Sequence, residues 1–308
     1  MKVLFVSSGR NSTISPIVRS QGESLQKAGI EISYFIIKGR GFLGYLMSIF
    51  YLHTEIRKVK PDIIHAHYSL CCIVAAFASR KPIVASLMGS DVMSNWLMVR
   101  LLRSLSVYCW KATIVKSKSM KERIRLNHAF IIPNGVDLSF FRPLDQSECK
   151  KSVGFDPSKK QILFLADPAR YEKNYELALA SFQVLQEKFR DAIELKIVYG
   201  IEHQQVLYYL NAADVVLLTS RWEGSPNVIK ESMACNVPIV STRVGDVEEI
   251  IQYTSGCFLA DSSSEDIADK LKSAFAFDGR TNGRSDISHL DSKLIAKNII
   301  SIYDSVSG

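Results

Sequence analysis

Apolar residues occur along this chain in short runs rich in β-branched side chains, separated by stretches in which apolar positions recur every three or four residues. The runs read as strands: 2–8 (KVLFVSS), 31–38 (EISYFIIK), 62–67 (DIIHAH), 82–86 (PIVAS), 112–116 (ATIVK) and 130–133 (FIIP). Helical spacing fills the gaps, clearest at 15–29, which closes on Gly29, and at 45–60. Apolar strands alternating with helices predict a parallel, doubly wound α/β sheet. The pattern breaks near IIPNGVDLSFFRP, where Asn134-Gly135 is a turn signal and Pro143 a stop, and the polar, lysine-rich 145–160 reads as an irregular joining region. A second alternating series follows, with strands at 161–167, 193–200, 214–220, 237–241 and 256–260 and helices at 174–189, 203–211, 226–235 and 264–276. The expected domains are therefore 1–143 and 144–287, and the spacing of Leu290, Leu294, Ile295, Ile299, Ile302 and Tyr303 predicts a final helix within 288–308.

With 308 residues, 47% of them hydrophobic and 22% charged, the chain has the size and make-up of two ordinary globular domains. Charge is uneven. Residues 1–143 hold 20 Lys or Arg against 7 Asp or Glu, whereas residues 144–308 hold 18 against 24, for an overall net of +7. A basic first half suggests an anionic partner. No helix-turn-helix, zinc-finger or aromatic RNA-binding signature accompanies the charge, so nucleic acid is not expected, and an anionic membrane surface or a lipid-phosphate acceptor fits better. In 94–111 (SNWLMVRLLRSLSVYCWK), apolar and aromatic residues interleave with Arg100, Arg103 and Lys111; the segment suits either a headgroup layer or a basic-rimmed core helix. The longest apolar run, 42–52, is too short to span a bilayer, and MKVLFVSSG turns polar too soon for a signal peptide. Six cysteines without metal or disulfide spacing read as reduced core thiols of a cytoplasmic protein, peripheral at most on the inner face of the membrane.

The most informative stretch is 214–249, DVVLLTSRWEGSPNVIKESMACNVPIVSTRVGDVEE. A buried strand spills into a polar loop, and ligand sites in open α/β sheets lie at such strand ends. Ser225 suits an N-cap and Pro226 the first helical position, so the helix should open with backbone N–H groups that favour an anion. Glu223 before that start and Glu231 inside the helix add acceptors for sugar hydroxyls. Such a site suits a phosphorylated sugar.

Seven residues separate Glu223 from Glu231 in EGSPNVIKE, after a strand ending in Ser and Trp and before VPIVSTRVGDVEEI. This setting resembles the E-x7-E signature of retaining glycosyltransferases of family 4 (glycosyl transferases group 1), which have the GT-B fold. The resemblance implies two Rossmann-like, doubly wound domains facing across a cleft, the first on the acceptor side and the second binding the nucleotide sugar, with the final helix packing back on the first. It implies transfer from a UDP- or GDP-sugar to a glycan or lipid-linked acceptor in cell-envelope or polysaccharide synthesis. Retention would follow a front-face course in which the departing phosphate helps deprotonate the acceptor, since no carboxylate nucleophile can be named. Glu231 would hold the ribose, Glu223 the donor sugar, and the backbone of Gly224, Ser225, Pro226, Asn227 and Val228 the phosphate or sugar. Arg170 and Lys173 in PARYEKN would clamp the diphosphate in place of a metal, although the family usually spaces that pair more widely. No DxD or His/Asp/Glu cluster suits a divalent ion, so neither metal nor other cofactor is expected.

In the first half, Gly9 of SSGRN stands where the family commonly has a glycine-rich turn near the donor phosphate. Met88 in LMGSD replaces the His of many relatives and leaves Asp91 as the polar candidate. His65 and His67 are expected on opposite faces of their strand, as structural residues or with one reaching the cleft. Gly39, Gly41 and Gly44 in GRGFLG match G-x-G-x-x-G, with Asp62 eighteen residues on, but after the second strand, so a dinucleotide-binding dehydrogenase is a minor alternative. With Phe42, Tyr45 and Phe50, the same loop is expected to form a mobile wall for a hydrophobic acceptor. A nucleotide-sugar-binding module without transfer activity and a sugar-nucleotide epimerase also stay open.

Overall fold

A computed structural model of the chain describes residues 1–9, 14–38, 41–89, 96–277 and 279–307. Two compact units emerge, Met1–Gly135 with Ser292–Gly308, and Val136–Asp291. The division falls at the Asn134-Gly135 turn signal, earlier than the expected 143. Gly135 has a reason to be glycine: a Cβ there would come within 2.8 Å of the Ser292 Cα.

The first unit is a parallel sheet of β1 (Lys2–Ser8), β2 (Glu31–Ile37), β3 (Ile63–His67), β4 (Ile83–Ser86), β5 (Ala112–Val115) and β6 (Phe130–Ile131), in the order β2-β1-β3-β4-β5-β6. Alternation along the strands sorts the side chains into two layers. Leu4, Val6, Ile64, Ala66, Ile83 and Ala85 form one core with residues of the Gly41–Val59, Ser69–Ala78, Trp96–Tyr108 and Lys118–Ile124 helices. Phe5 belongs to the other face and touches Tyr34, His65 and His67. The Pro16–Lys27 and Ser292–Ser307 helices pack together there.

Two expectations about this unit fail. His65 and His67 lie two residues apart and so share one face, with rings stacked at 4.3 Å. Both are fully buried and bonded: His65 meets the Tyr303 hydroxyl at 2.5 Å and Ser86 Oγ at 2.8 Å, and His67 meets Gln21 Oε1 at 2.7 Å. The second failure concerns GRGFLG. The Gly41–Val59 helix begins four residues before the expected 45, so Gly41, Gly44, Tyr45 and Phe50 are helical and form neither a dinucleotide turn nor a mobile loop; Gly39 lies outside the described residues.

Burial pushes both histidines down, His65 well below the usual range and His67 to about 3, with Lys116 adding to the effect. The unfolded chain, whose histidines titrate near 6.5, therefore binds more protons than the folded one in acid. Stability from these groups is complete above about pH 6.5 and is lost as pH falls toward 3, by roughly 1.4 kcal/mol per pH unit for each histidine. Hydrogen exchange in β1 and β3 should accelerate as pH drops from about 6.5 to 5, after correction for intrinsic rates, and His67→Gln should flatten that dependence. Equal slopes in the two proteins would refute the assignment.

The second unit is also parallel: β7 (Lys160–Phe164), β8 (Ile193–Ile197), β9 (Val215–Leu218), β10 (Ile239–Thr242) and β11 (Cys257–Ala260), in the order β11-β10-β9-β7-β8. The Tyr175–Phe189 and Ser264–Ala276 helices pack together on it. The joining region is not irregular throughout. Asp145 caps a Gln146–Val153 helix by accepting from the Glu148 N–H at 2.9 Å, and Gly154, at φ 71°, ends it. All six cysteines are free, and Cys109 is exposed rather than in a core. Burial raises the Cys235 and Cys257 thiols to about 12, which leaves them unreactive. Among the described residues, no helix is long and apolar enough to cross a membrane.

Candidate active site

Strand order locates the site in the second unit. From β7 the chain runs outward to β8 and then returns past β7 to β9 on its other side. Loops leaving β7 and β9 thus part in opposite directions, and a crevice opens between the strands' carboxyl ends. These two loops carry Arg170, Lys173 and Glu223.

Asp167 turns the chain after β7 by accepting from the Ala169 N–H at 3.0 Å, a Tyr171–Lys173 turn follows, and Asn174, at φ 53°, leads into the next helix. The β9 loop is laced to it: Thr219 Oγ1 donates to the carbonyls of Lys173 (3.1 Å) and Asn174 (3.0 Å), the Arg221 N–H donates to the Glu172 carbonyl (2.9 Å), and the Arg221 guanidinium lies 4.5 Å over the Tyr171 ring. This lacing holds Lys173 Nζ 2.6 Å from Glu223 Oε1, with side chains only 14% and 15% exposed. Ser220 Oγ donates to the same oxygen at 2.8 Å. Other N–H directions of the ammonium and the second carboxylate oxygen remain for a ligand.

Arg170 is not brought into this pair. Its side chain is 45% exposed and turns to Glu172, two residues on, through Nε at 2.8 Å and Nη2 at 2.5 Å. Of the two cations expected at the diphosphate, only Lys173 is held beside Glu223.

The Asn227–Ala234 helix starts one residue later than expected, with Pro226 as its N-cap. Pro226 makes no side-chain cap, and the Ser225 Oγ is engaged elsewhere, donating to Asp246 Oδ2 at 2.6 Å and accepting from the Lys230 ammonium. Among the described residues no side-chain cap closes this helix start, as anion-binding helix starts require. Gly224, Ser225 and Pro226 are buried and Asn227 and Val228 half-buried. Gly245, at φ 59°, brings the loop after β10 so close that a Cβ would lie 2.8 Å from the Gly224 carbonyl oxygen.

Two further pairs complete the arrangement. Lys230, fully buried, lies 3.3 Å from Asp246 Oδ2; burial pushes its pKa down, while Asp246, Glu231 and Glu223 act in the other direction. Its ammonium therefore feels both of the predicted glutamates. Glu231, also buried, accepts from His203 Nε2 at 2.8 Å, and the His203 ring packs 5.4 Å from Phe141. In the first unit, Gly9 directly follows β1, beside the point where the sheet order reverses between β1 and β3. Asp91 lies outside the described residues. Among the described residues, no three His, Cys, Asp or Glu group to hold a metal ion.

The family model described as Glycosyltransferase Family 4 matches residues 13–140, and that described as Glycosyl transferases group 1 matches residues 196–276. The chain belongs to the family 4, group 1 glycosyltransferases. It is 26% identical over 244 residues to the TuaC glycosyltransferase of Bacillus subtilis (strain 168), whose name refers to teichuronic acid biosynthesis; the match covers 70% of this chain and 61% of TuaC. The same 61% share holds for a second curated relative, the N-acetyl-α-D-glucosaminyl L-malate synthase of Bacillus anthracis, so the chain spans less than two thirds of either. Among solved structures it is similar to sucrose-phosphate synthase from Thermosynechococcus elongatus (TM-score 0.80, 15% identity, covering 99% of this chain and 98% of that one). It is also similar to HepE of Anabaena in complex with UDP and glucose (TM-score 0.74, 18% identity, 99% and 100% covered). At such identities the likeness is one of fold, and the fold is GT-B.

In this family 4 chain, sequence reasoning missed Lys230, Asp246 and His203. Lys230 had a legible signal, because it directly precedes Glu231 in a helix whose other residues are largely apolar or small. Asp246 and His203 had none, since their partners lie 16 and 28 residues away and meet them only through the sheet order.

Proposed function

We propose that this chain is a retaining glycosyltransferase that takes a sugar from a UDP- or GDP-sugar and passes it to a glycan or lipid-linked acceptor in cell-envelope or polysaccharide synthesis, without a metal, at the cytoplasmic side of an anionic membrane. The observation that carries the reading is the Lys173–Glu223 pair at the switch point, beside a helix start with no side-chain cap among the described residues. Lys173 and the N–H groups of that start take the diphosphate and stabilise the charge that develops on the departing nucleoside diphosphate. Glu223 accepts from the sugar hydroxyls, and Glu231, steadied by His203, accepts from the ribose diol. Arg170 joins once it leaves Glu172, a partly exposed contact of small worth. The donor class draws support from HepE, whose structure holds UDP and glucose, and the setting from the name of TuaC. In the first unit, Gly9 is assigned to the donor phosphate, and Asp91 is the polar candidate left where Met88 stands in place of a histidine.

The test is a panel of UDP- and GDP-sugars against the full chain, read by thermal midpoint and by nucleoside diphosphate release with and without a lipid-linked acceptor. One donor should raise the midpoint, release should require acceptor, the product should keep the donor's anomeric configuration by NMR, and EDTA should change nothing. If no donor stabilises the protein, the reading fails. Stabilisation without release would favour a binding module, the alternative suggested by Met88 in the place of a histidine, and an epimerised sugar nucleotide formed without acceptor would favour an epimerase.

A further inference from the structure

In the first unit, the Gly41–Val59, Ser69–Ala78 and Trp96–Tyr108 helices lie side by side on one face of the sheet, with inner residues such as Leu52, Cys72, Val74 and Leu102 in a common core. Their outer sides are not polar. More than half of the large apolar side chains that the whole described chain exposes come from these three helices. Phe50 is 68% exposed, Phe77 67%, Trp96 68% and Tyr108 84%, with Leu46 and Leu97 also exposed. Single exposed apolar residues need no explanation, but a layer of them does.

Two depressions mark this layer. Between the first two helices lies an apolar one of about 280 Å³, lined by Leu46, Ile49, Phe50, His53, Phe77 and Ala78. Beside the third lies one of about 650 Å³, lined by Trp96, Val99, Arg100, Arg103, Arg123 and Arg125. Four guanidiniums thus converge with an exposed indole, and among the described residues no carboxylate lines the depression. Arg100, Arg103 and Arg125 form no ion pair among the described residues. Segments 41–81 and 96–125 together hold thirteen Lys or Arg against three Asp or Glu.

We propose that the outer side of these three helices is a docking surface for an anionic lipid bilayer, with the arginine-lined depression receiving lipid phosphates. A soluble phosphate would satisfy the arginines and leave the apolar layer in water. A second copy of the chain, docked about a two-fold axis through this face, would set the arginine cluster against itself. An anionic bilayer answers both features: apolar and aromatic side chains enter the boundary between headgroups and acyl chains, and planar guanidiniums pair with phosphates. The proposal rests on the membrane setting suggested above for the choice of bilayer, but its test needs neither donor nor acceptor and so can fail or succeed apart from the transfer reaction.

The experiment is co-sedimentation of the full chain with phosphatidylcholine vesicles, with or without about 30 mol% phosphatidylglycerol. Binding should require phosphatidylglycerol and fall steeply as salt is raised. Arg100→Glu with Arg103→Glu should lower the partition constant by about tenfold or more, and Leu97→Ser with Leu101→Ser by several-fold, with circular dichroism unchanged. Should the charge reversal misfold the protein, Arg100→Gln with Arg103→Gln carries the same test. Absence of binding to phosphatidylglycerol vesicles, or undiminished binding by folded variants, would overturn the proposal. So would dimerisation abolished by the Leu97 and Leu101 changes, or a thermal shift with inorganic phosphate in a protein that ignores vesicles.

Discussion

Replacing Lys173 with alanine will lower kcat/KM for sugar transfer by about 10²- to 10³-fold, whereas replacing Arg170 with alanine will cost about tenfold or less. The difference follows from how each cation is held. Lys173 is fixed by carbonyl bonds from Thr219 on the opposite loop and by its 2.6 Å contact with Glu223, so it needs little reorganisation to meet a phosphate. Arg170 is half-exposed and must first leave Glu172. Because a cation that meets charge developing on the leaving group acts mainly in the transition state, the Lys173 variant should lose more in kcat than it gains in KM. Lys173→Met, which keeps most of the alkyl stem, should behave like the alanine variant and fold normally. If Arg170→Ala proves the more damaging of the two, the Arg170–Glu172 pair must open when donor binds, and the guanidinium would take the leading role.

Lys230→Met should destabilise the second unit by about 3–5 kcal/mol, the usual consequence of leaving one member of a buried ion pair without its partner. The lysine has no exposed surface, and its loss strands Asp246, which is itself buried and whose Oδ1 has no partner among the described residues. Ser225 would lose the bond donated by the ammonium at the same time, while keeping its own bond to Asp246. Adding Asp246→Asn should recover most of the stability, since no charge is then left buried. Urea-dependent hydrogen exchange in Ile239–Thr242 measures both variants. A double variant no more stable than the single one would mean that Lys230 acts by packing and not by charge.

What could be read in advance divides along a physical line. The β9 run, four buried apolar residues in succession, is a local pattern and survives in the folded chain; the eight-residue step from Glu223 to Glu231 is local too, and it sets one glutamate on the loop beside Lys173 and the other in the helix beside His203. Two local patterns were misjudged. The spacing of His65 and His67 already required a shared face, and Asp145 with Gly154 already framed the Gln146–Val153 helix, although its lysines suggested a linker. Other features were out of reach. Ser225 looks like a cap because the residue that claims its hydroxyl, Asp246, arrives from the loop after β10, and nothing in the order of residues says that β10 lies beside β9. Likewise the choice of Glu172 by Arg170 depends on a short turn whose direction is set by Asp167 and Asn174.

Tyr303, wholly buried with its hydroxyl on His65, has a bearing on how the molecule comes into being. A ribosome releases β1 and β3 long before residues 292–307 exist. Until those residues are made, the sheet face bearing Phe5 and the two histidines lacks the Ser292–Ser307 helix, while Val136–Asp291 has already been made. The part of the chain that is translated first is therefore the part that must wait longest for its last piece.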